Sequence, residues 1–162
     1  MARNSLTEYS AKRSFKATPE PPPAVPATQG GPLLFVVQQH SARRLHFDFR
    51  LECDGVLLSW AVPKGPTQDP NEKRLAVQTE VHPLEYGSFE GTIPEGHYGA
   101  GEVRIFDDGW YEPIEWTDTK VSFRLHGRRY PGLEFHFVKT RTDWLQRTAP
   151  CIAISSSTCW AC

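Results

Sequence analysis

Two histidines, an aspartate and an arginine crowd one short stretch of the chain, His40-Ser-Ala-Arg-Arg-Leu-His46-Phe-Asp48-Phe-Arg50-Leu-Glu52. From Leu45 to Glu52 apolar and polar residues alternate without a break, the pattern of a strand with one face buried. Leu45, Phe47, Phe49 and Leu51 share one face, and His46, Asp48, Arg50 and Glu52 share the other. Side chains two apart on a strand stand ~6.5–7 Å from each other, so an imidazole, a carboxylate and a guanidinium line one row. His40 has the same parity as His46. A solvated strand face ordinarily carries Lys, Glu, Thr and Ser. Imidazole with carboxylate instead suits a borderline divalent cation, and a guanidinium suits a phosphate or carboxylate. The plainer alternative is a half-buried strand whose polar side faces water. His82 closes a second alternating run, Arg74–His82, and Pro83 stops the ladder after it. With an ordinary pKa near ~6.5 it could stabilise negative charge or give up a proton. Its plainer reading is a hydrogen-bonded histidine at a strand end.

The elements that must position these residues read as strands. The chain has 162 residues, long enough for one domain with a real core. Leu33–Gln38 is a short apolar strand leading into His40. Asp54-Gly55 is a two-residue hairpin signal between alternating runs, and Val56–Val62 is the return strand. Pro63-Lys64-Gly65-Pro66 closes it. Gly87–Gly101 is turn chemistry, and no Lys-Ser/Thr pair follows it to make a phosphate-binding P-loop. Glu102–Phe106, Val121–His126 and Gly132–Lys139 complete the strand set, with Asp108-Gly109 and His126-Gly127 read as turns. No amphipathic helix and no internal repeat stand out. Many short, mostly antiparallel strands at this spacing predict an all-β fold, a compact closed or nearly closed β-barrel, with a sandwich as the alternative. Residues 1–32 read as an N-terminal arm and proline-rich linker, 33–145 as the barrel, and 146–162 as an irregular tail. Cys159-Trp-Ala-Cys162 has redox or zinc spacing, but a four-thiolate site needs a second pair, and Cys151 supplies one ligand at most.

Charge and composition narrow the function. Lys plus Arg number 18 against 19 Asp plus Glu, for a formal net charge of −1, so any nucleic-acid contact must come from a local basic surface. With 14 Pro, 12 Gly and 12% aromatics, the mixture favours strands and turns. No apolar run approaches a membrane span and the N-terminus lacks a secretory core. The cysteines form no disulfide framework, so a reducing cytoplasm is expected.

The chain resembles the 3′-phosphoesterase domain family of bacterial DNA ligase D. The resemblance rests on Phe35-Val-Val-Gln-Gln-His40, Ala42-Arg-Arg-Leu-His46-Phe-Asp48-Phe-Arg50-Leu-Glu52, Ser59-Trp-Ala-Val-Pro-Lys-Gly-Pro66, Glu80–Tyr86, Gly91-Thr-Ile-Pro-Glu-Gly and Tyr98-Gly-Ala-Gly101. Tyr9, Lys12-Arg13, Phe15 and Thr18-Pro-Glu20 fit as well. Ser14 stands where the family commonly has Asp, and Asp143-Trp-Leu-Gln-Arg replaces an apolar ending. The resemblance implies a compact barrel that removes 3′-terminal ribonucleotides and 3′-phosphates and leaves a clean 3′-OH. It implies His40, His46 and Asp48 as metal ligands, with manganese as the cation and zinc or cobalt as alternatives. Arg50 and His82 take phosphate-binding and transition-state roles, joined by Arg13. Tyr86, Glu20 and Arg74 match further positions, Tyr86 in a catalytic role, Arg74 in phosphate binding and Glu20 in support. Partners implied are DNA or RNA-containing DNA 3′ ends on a primer–template. A separate DNA ligase, polymerase or Ku-type end-binding protein would serve the same repair, with this chain acting as a monomer in the cytoplasm near the nucleoid.

Phosphate esters resist attack because their oxygens are negative and their leaving groups poor. A divalent ion neutralises a non-bridging oxygen and makes water a better nucleophile, and Mn²⁺ or Zn²⁺ fits imidazole better than Mg²⁺ does. An arginine two residues from a ligand can place its fork on the same phosphate. A non-catalytic barrel binding nucleic-acid ends or a repair partner is the competing reading. A barrel metalloenzyme acting on a small molecule is the third. His97, His126 and His136, and Trp60, Trp110, Trp116 and Trp144, read as structural, and Lys64 as a solvated lysine.

Overall fold

The computed structural model describes residues 6–23 and 31–149. Nine strands follow one another: β1 (Leu33–Ser41), β2 (Leu45–Cys53), β3 (Val56–Val62), β4 (Arg74–Pro83), β5 (Gly91–Ile93), β6 (Gly101–Trp116), β7 (Lys120–Gly127), β8 (Pro131–Lys139) and β9 (Trp144–Thr148). They pair antiparallel in the order β1-β2-β3-β4-β9-β8-β7-β6, and β6 pairs back onto β1. Eight strands therefore close a barrel, with β5 added at the edge of β6. Closure leaves no long unpaired edge.

Hydrophobic alternation explains the ring. The inward residues Phe35, Val37, Phe49, Leu51, Trp60, Val62, Phe123, Phe135 and Phe137 form a single buried cluster. Trp60 stacks on Phe137 at 4.8 Å between ring centres. Each such side chain contributes roughly 1.5–3 kcal/mol by leaving water. At the β2–β3 turn, Asp54 and Gly55 have φ of 52° and 80°, as the two-residue hairpin demands.

Several expectations are corrected. Asp108-Gly109 is not a turn. It lies inside the long β6, where Gly109 pairs with Gly127 and a Cβ would collide with the His126 carbonyl oxygen. Glycine is there for close approach. His126-Gly127 likewise belongs to β7. The turn comes one step later, where the Asp107 carboxylate accepts the backbone N–H groups of Arg128, Arg129 and Tyr130. Gly91–Ile93, read as turn, is strand β5. The arm carries a five-residue helix, α1 (Thr7–Ala11), too short to show a periodic pattern. A 3₁₀ turn spans Leu84–Ser88. β9 extends the barrel to Thr148, beyond the expected boundary at 145. Residues 24–30 of the linker, and the tail with Cys151, Cys159 and Cys162, lie outside the described residues. Among those described, no helix is long and apolar enough to cross a membrane.

The outward face of β1–β4 is covered too. Tyr9, Leu57, Tyr86, Phe89, Ile93 and Val103 make a second, smaller buried cluster, with Leu6, Phe15 and Leu84 packed against it. It seats the arm and the 3₁₀ turn over the polar row of β2. That row is therefore roofed, with Asp48, Arg50 and Glu52 all buried.

Candidate active site

Register brings the row's members together. On the β1–β2 pair His40 stands opposite His46, and Gln38 opposite Asp48. On β2–β3, Arg50 stands opposite Ser59. β4 departs from the simple alternation. Ser59 pairs with Thr79 and Leu57 with His82, so β4 carries one extra residue between them. This bulge turns Thr79 and His82, three apart, toward the same side, where both line one cavity of about 300 Å³. Bulges commonly re-aim a side chain beside a site in this way.

Among the described residues, His40, His46 and Asp48 bring three ligand atoms within 4.8 Å of one another. His40 Nδ1 lies 3.5 Å from Asp48 Oδ2, and His46 Nε2 lies 3.4 Å from Oδ1. The other nitrogen of each ring meets a backbone carbonyl: His40 Nε2 the oxygen of Gly99 at 2.7 Å, His46 Nδ1 that of Arg44 at 3.1 Å. Those carbonyls can only accept, so each ring donates there and turns its lone pair toward Asp48. A metal-binding histidine is oriented by the same arrangement, and the donor set fits a divalent cation. Burial opposes the Asp48 charge, yet Arg50 and the two imidazoles outweigh it and hold the carboxyl well below the usual carboxylate range. Without a cation, a proton on His46 Nε2 would be held by a hydrogen bond to Asp48, which raises His46 above its ordinary value.

Arg50 is held on every side. Its Nε donates to Gln38 Oε1 at 2.7 Å and Nη1 to Ser59 Oγ at 2.8 Å, while Nη2 lies 3.4 Å from Asp48 Oδ2. Gln38 in turn donates to the carbonyls of Tyr86 and Phe89, 2.8 and 3.0 Å away. His82 Nδ1 sits 2.9 Å from the Glu80 carbonyl oxygen and 3.1 Å from Arg50 Nη1. Donating to that carbonyl leaves Nε2 free to accept from Arg13 Nη2, 3.3 Å away. Burial, followed by the charges of Arg50 and Arg13, pushes His82 well below its ordinary pKa, so it is neutral at neutral pH.

The arm completes the cavity. Arg13 Nε donates to Glu20 Oε2 at 2.7 Å, and Nη1 lies 3.1 Å from Glu80 Oε1. Tyr86 donates its hydroxyl to the same Glu20 oxygen at 3.0 Å. Burial, with Glu20 alongside, raises the Tyr86 phenol and keeps it protonated. Arg74 is placed differently: it pairs with Glu72 at 2.7 Å and does not line the cavity. Gln38, Ser59, Glu80 and Tyr98 are the cavity's companions that residue type alone did not single out. Only the places of Gln38 opposite Asp48, of Ser59 opposite Arg50 and of Glu80 two residues before His82 could have signalled the first three. Tyr98 lies under Lys12 and Arg13, whose charged ends stand 4.9 and 5.2 Å from its ring centre.

Comparison with known proteins identifies the family of the chain. A family described as the DNA Ligase D 3′-phosphoesterase domain matches residues 38–139. The chain is 50% identical over 141 residues to the "Multifunctional non-homologous end joining protein LigD" of Pseudomonas aeruginosa, covering 83% of this chain and 17% of that protein. It is 48% identical over 145 residues to the "Multifunctional non-homologous end joining DNA repair protein LigD" of Mycobacterium tuberculosis, covering 86% and 19%. The chain thus spans less than a fifth of the length of these two curated relatives. His40, His46, Asp48, Arg50 and His82 all fall inside the matched segment, and the chain belongs to the DNA Ligase D 3′-phosphoesterase domain family.

Proposed function

We propose that this chain is a metal-dependent phosphoesterase that cleans nucleic-acid 3′ ends, removing a 3′-terminal ribonucleotide or 3′-phosphate and leaving a 3′-OH. The observation that carries the reading is convergence: a three-ligand cation cluster, two arginines and a neutral histidine share one cavity of about 300 Å³. His40, His46 and Asp48 would hold the cation, manganese by family resemblance with zinc or cobalt as alternatives. When bound, such an ion neutralises a non-bridging phosphate oxygen and assists the attack of water. Arg50 and Arg13 flank His82 and supply preorganised charge to the phosphoryl oxygens, with little freedom left to lose on binding. Their hydrogen bonds fix both guanidiniums before substrate arrives. The phosphate's negative charge offsets those guanidiniums and, by drawing Arg13 Nη2 onto a phosphoryl oxygen, frees His82 Nε2 to take a proton from water and pass it to the leaving oxygen. Tyr86 and Glu20 position Arg13 from below. Arg74, outside the cavity, is left out of the phosphate-binding set.

The substrate in this reading is a DNA 3′ end, ribonucleotide-tipped or phosphorylated, on a primer–template. A separate ligase, polymerase or Ku-type end-binding protein would act on the same break, in the cytoplasm. A primer–template ending in a ribonucleotide or a 3′-phosphate, incubated with and without Mn²⁺, tests it. Shortening or dephosphorylation that needs a divalent metal is expected. Binding without turnover under any divalent metal would replace this reading with that of a non-catalytic end-binding barrel.

A further inference from the structure

A second, larger concavity of about 1310 Å³ opens beside the site. One wall is the β1–β2 turn, Ser41–Arg44, and the other is the loop Pro94–Ala100 between β5 and β6. It is continuous with the metal-ligand cavity, for Ala42, His46, Ile93, Tyr98 and Gly99 line both. Its shape is set by backbone. Gly96, Gly99 and Gly101 take φ of 85°, 76° and 137°, conformations that glycine adopts freely. A Cβ on Gly101 would collide with the Ser41 carbonyl, so the two walls meet at the floor. Arg43 and Arg44 are exposed on the first wall, and among the described residues neither has an ion-pair partner. Among the described residues, Glu95 is the one acidic side chain lining the groove. At its inner end Tyr98 stays 47% exposed.

We propose that this groove is the track for the nucleic-acid strand whose 3′ end enters the site, with Arg43 and Arg44 on its phosphates and Tyr98 as a stacking surface for a base. This rests on the reading of the site as a 3′-end phosphoesterase. The net charge of −1 makes the placement informative, because nucleic-acid affinity here must be local. Two guanidiniums without an ion-pair partner among the described residues, on a wall that leads to the cation ligands, supply it, and an exposed aromatic ring beside a basic wall is how single strands are held without sequence preference. The charge of the wall favours a polyanion over a protein: among the described residues its two arginines face a single acidic side chain, Glu95.

The test is fluorescence anisotropy on metal-stripped protein with a labelled DNA primer–template ending in an ordinary 3′-OH, which offers nothing to cleave. The variant Arg43→Ala/Arg44→Ala is expected to bind about 10-fold more weakly or worse, and its slope of log affinity against log salt should be shallower by about 1–2. Tyr98→Leu should bind several-fold more weakly at an unchanged salt slope, the mark of stacking without charge. Arg104→Ala, an exposed arginine paired with Glu102 and outside the groove, should match the wild type. The double variant should still hydrolyse a small phosphodiester such as bis(p-nitrophenyl) phosphate with Mn²⁺ at the wild-type rate. Unchanged affinity and slope in the double variant would overturn the track, even if the wild type trims 3′ ends well. Loss of small-ester hydrolysis in the double variant would also overturn it, by showing that the arginines serve the site itself. A wild type that binds through Arg43 and Arg44 but trims no end would keep the track and remove the phosphoesterase reading.

Discussion

The outer faces of the two halves of the barrel carry similar residues and do different things. On β7 and β8, His136 stands 2.6 Å from Ser122 Oγ and 3.3 Å from Glu134 Oε1, while His126 pairs with Glu112 at 2.9 Å. On β1 and β2, His40 and His46 flank Asp48 at comparable distances. Residue type does not separate the two groups. Cover does. The arm, the 3₁₀ turn and β5 roof β1–β4, so polar groups there are buried and their charges act at low dielectric. Across β6–β8 the outer face meets water, with Trp110, Ile114 and Trp116 exposed and ion pairs screened to little value. The contacts there stay in separate local sets, His126 with Glu112 and Trp110 and His136 with Ser122 and Glu134, whereas on β1–β4 the contacts of Asp48, Arg50 and His82 converge on one cavity.

The contrast is broken or sharpened most strongly at the ligands. His40→Ala and Asp48→Ala should each lose divalent-metal binding in calorimetric titration and all measurable turnover, while Glu112→Ala should change neither. Arg50→Ala comes next. Its turnover should fall about 10²–10³-fold, and thermal melts should show a loss of about 3 kcal/mol because Asp48 is left buried without its guanidinium. Arg50→Lys should recover little, since an ammonium cannot reach Gln38, Ser59 and Asp48 together in the fork's geometry. The inward face gives the complementary result. Leu51→Ala should cost about 2–4 kcal/mol of stability, while the folded fraction keeps its turnover number. Loss of activity at full stability in that variant would mean the two faces are not independent.

A subtler comparison uses acid. His82 has a folded pKa below its unfolded value near ~6.5. Between those two values the unfolded chain binds more protons, so the stability this residue contributes is present above about pH 6.5 and is lost as pH falls below it. Melting the metal-free protein from about pH 7.5 to 5 should show a downward slope that His82→Gln flattens. His136 is also depressed, chiefly by burial, but its surroundings are half open. His136→Gln should move stability by no more than about 0.5 kcal/mol and leave turnover unchanged. A larger effect there would mean that the open face is also built for chemistry.

Alternation alone exposed β2, its neighbours and the row that holds His46, Asp48 and Arg50, because a period of two is a direct consequence of strand geometry. It could not place His82, since an extra residue in β4 reverses the parity on which such a reading depends. Nor could it show that the polar row is roofed. That fact depends on Tyr9, Tyr86 and Phe89 packing together from segments far apart in the chain. Arg13 and Glu20 entered through family resemblance, for nothing in their own neighbourhood marks them. Asp108-Gly109 misled because the pair that makes a hairpin turn also suits a crowded strand crossing, and the partner that crowds it, His126, lies outside any local window.

The bulge in β4 makes the site sensitive to chain length as well as to residue identity. Thr79 and His82 share a side only because one backbone unit too many separates them from their partners on β3. An in-frame deletion of a single residue between them would leave every functional side chain in the sequence. With Val81 removed, plain alternation returns: His82 stays opposite Leu57 on the outer side, while Glu80 swings away from Arg13 toward the aromatic interior. For this segment a gap in an alignment is as informative as a substitution, and a homologue that is one residue short here would keep the histidine's side while losing its acidic neighbour's grip on Arg13.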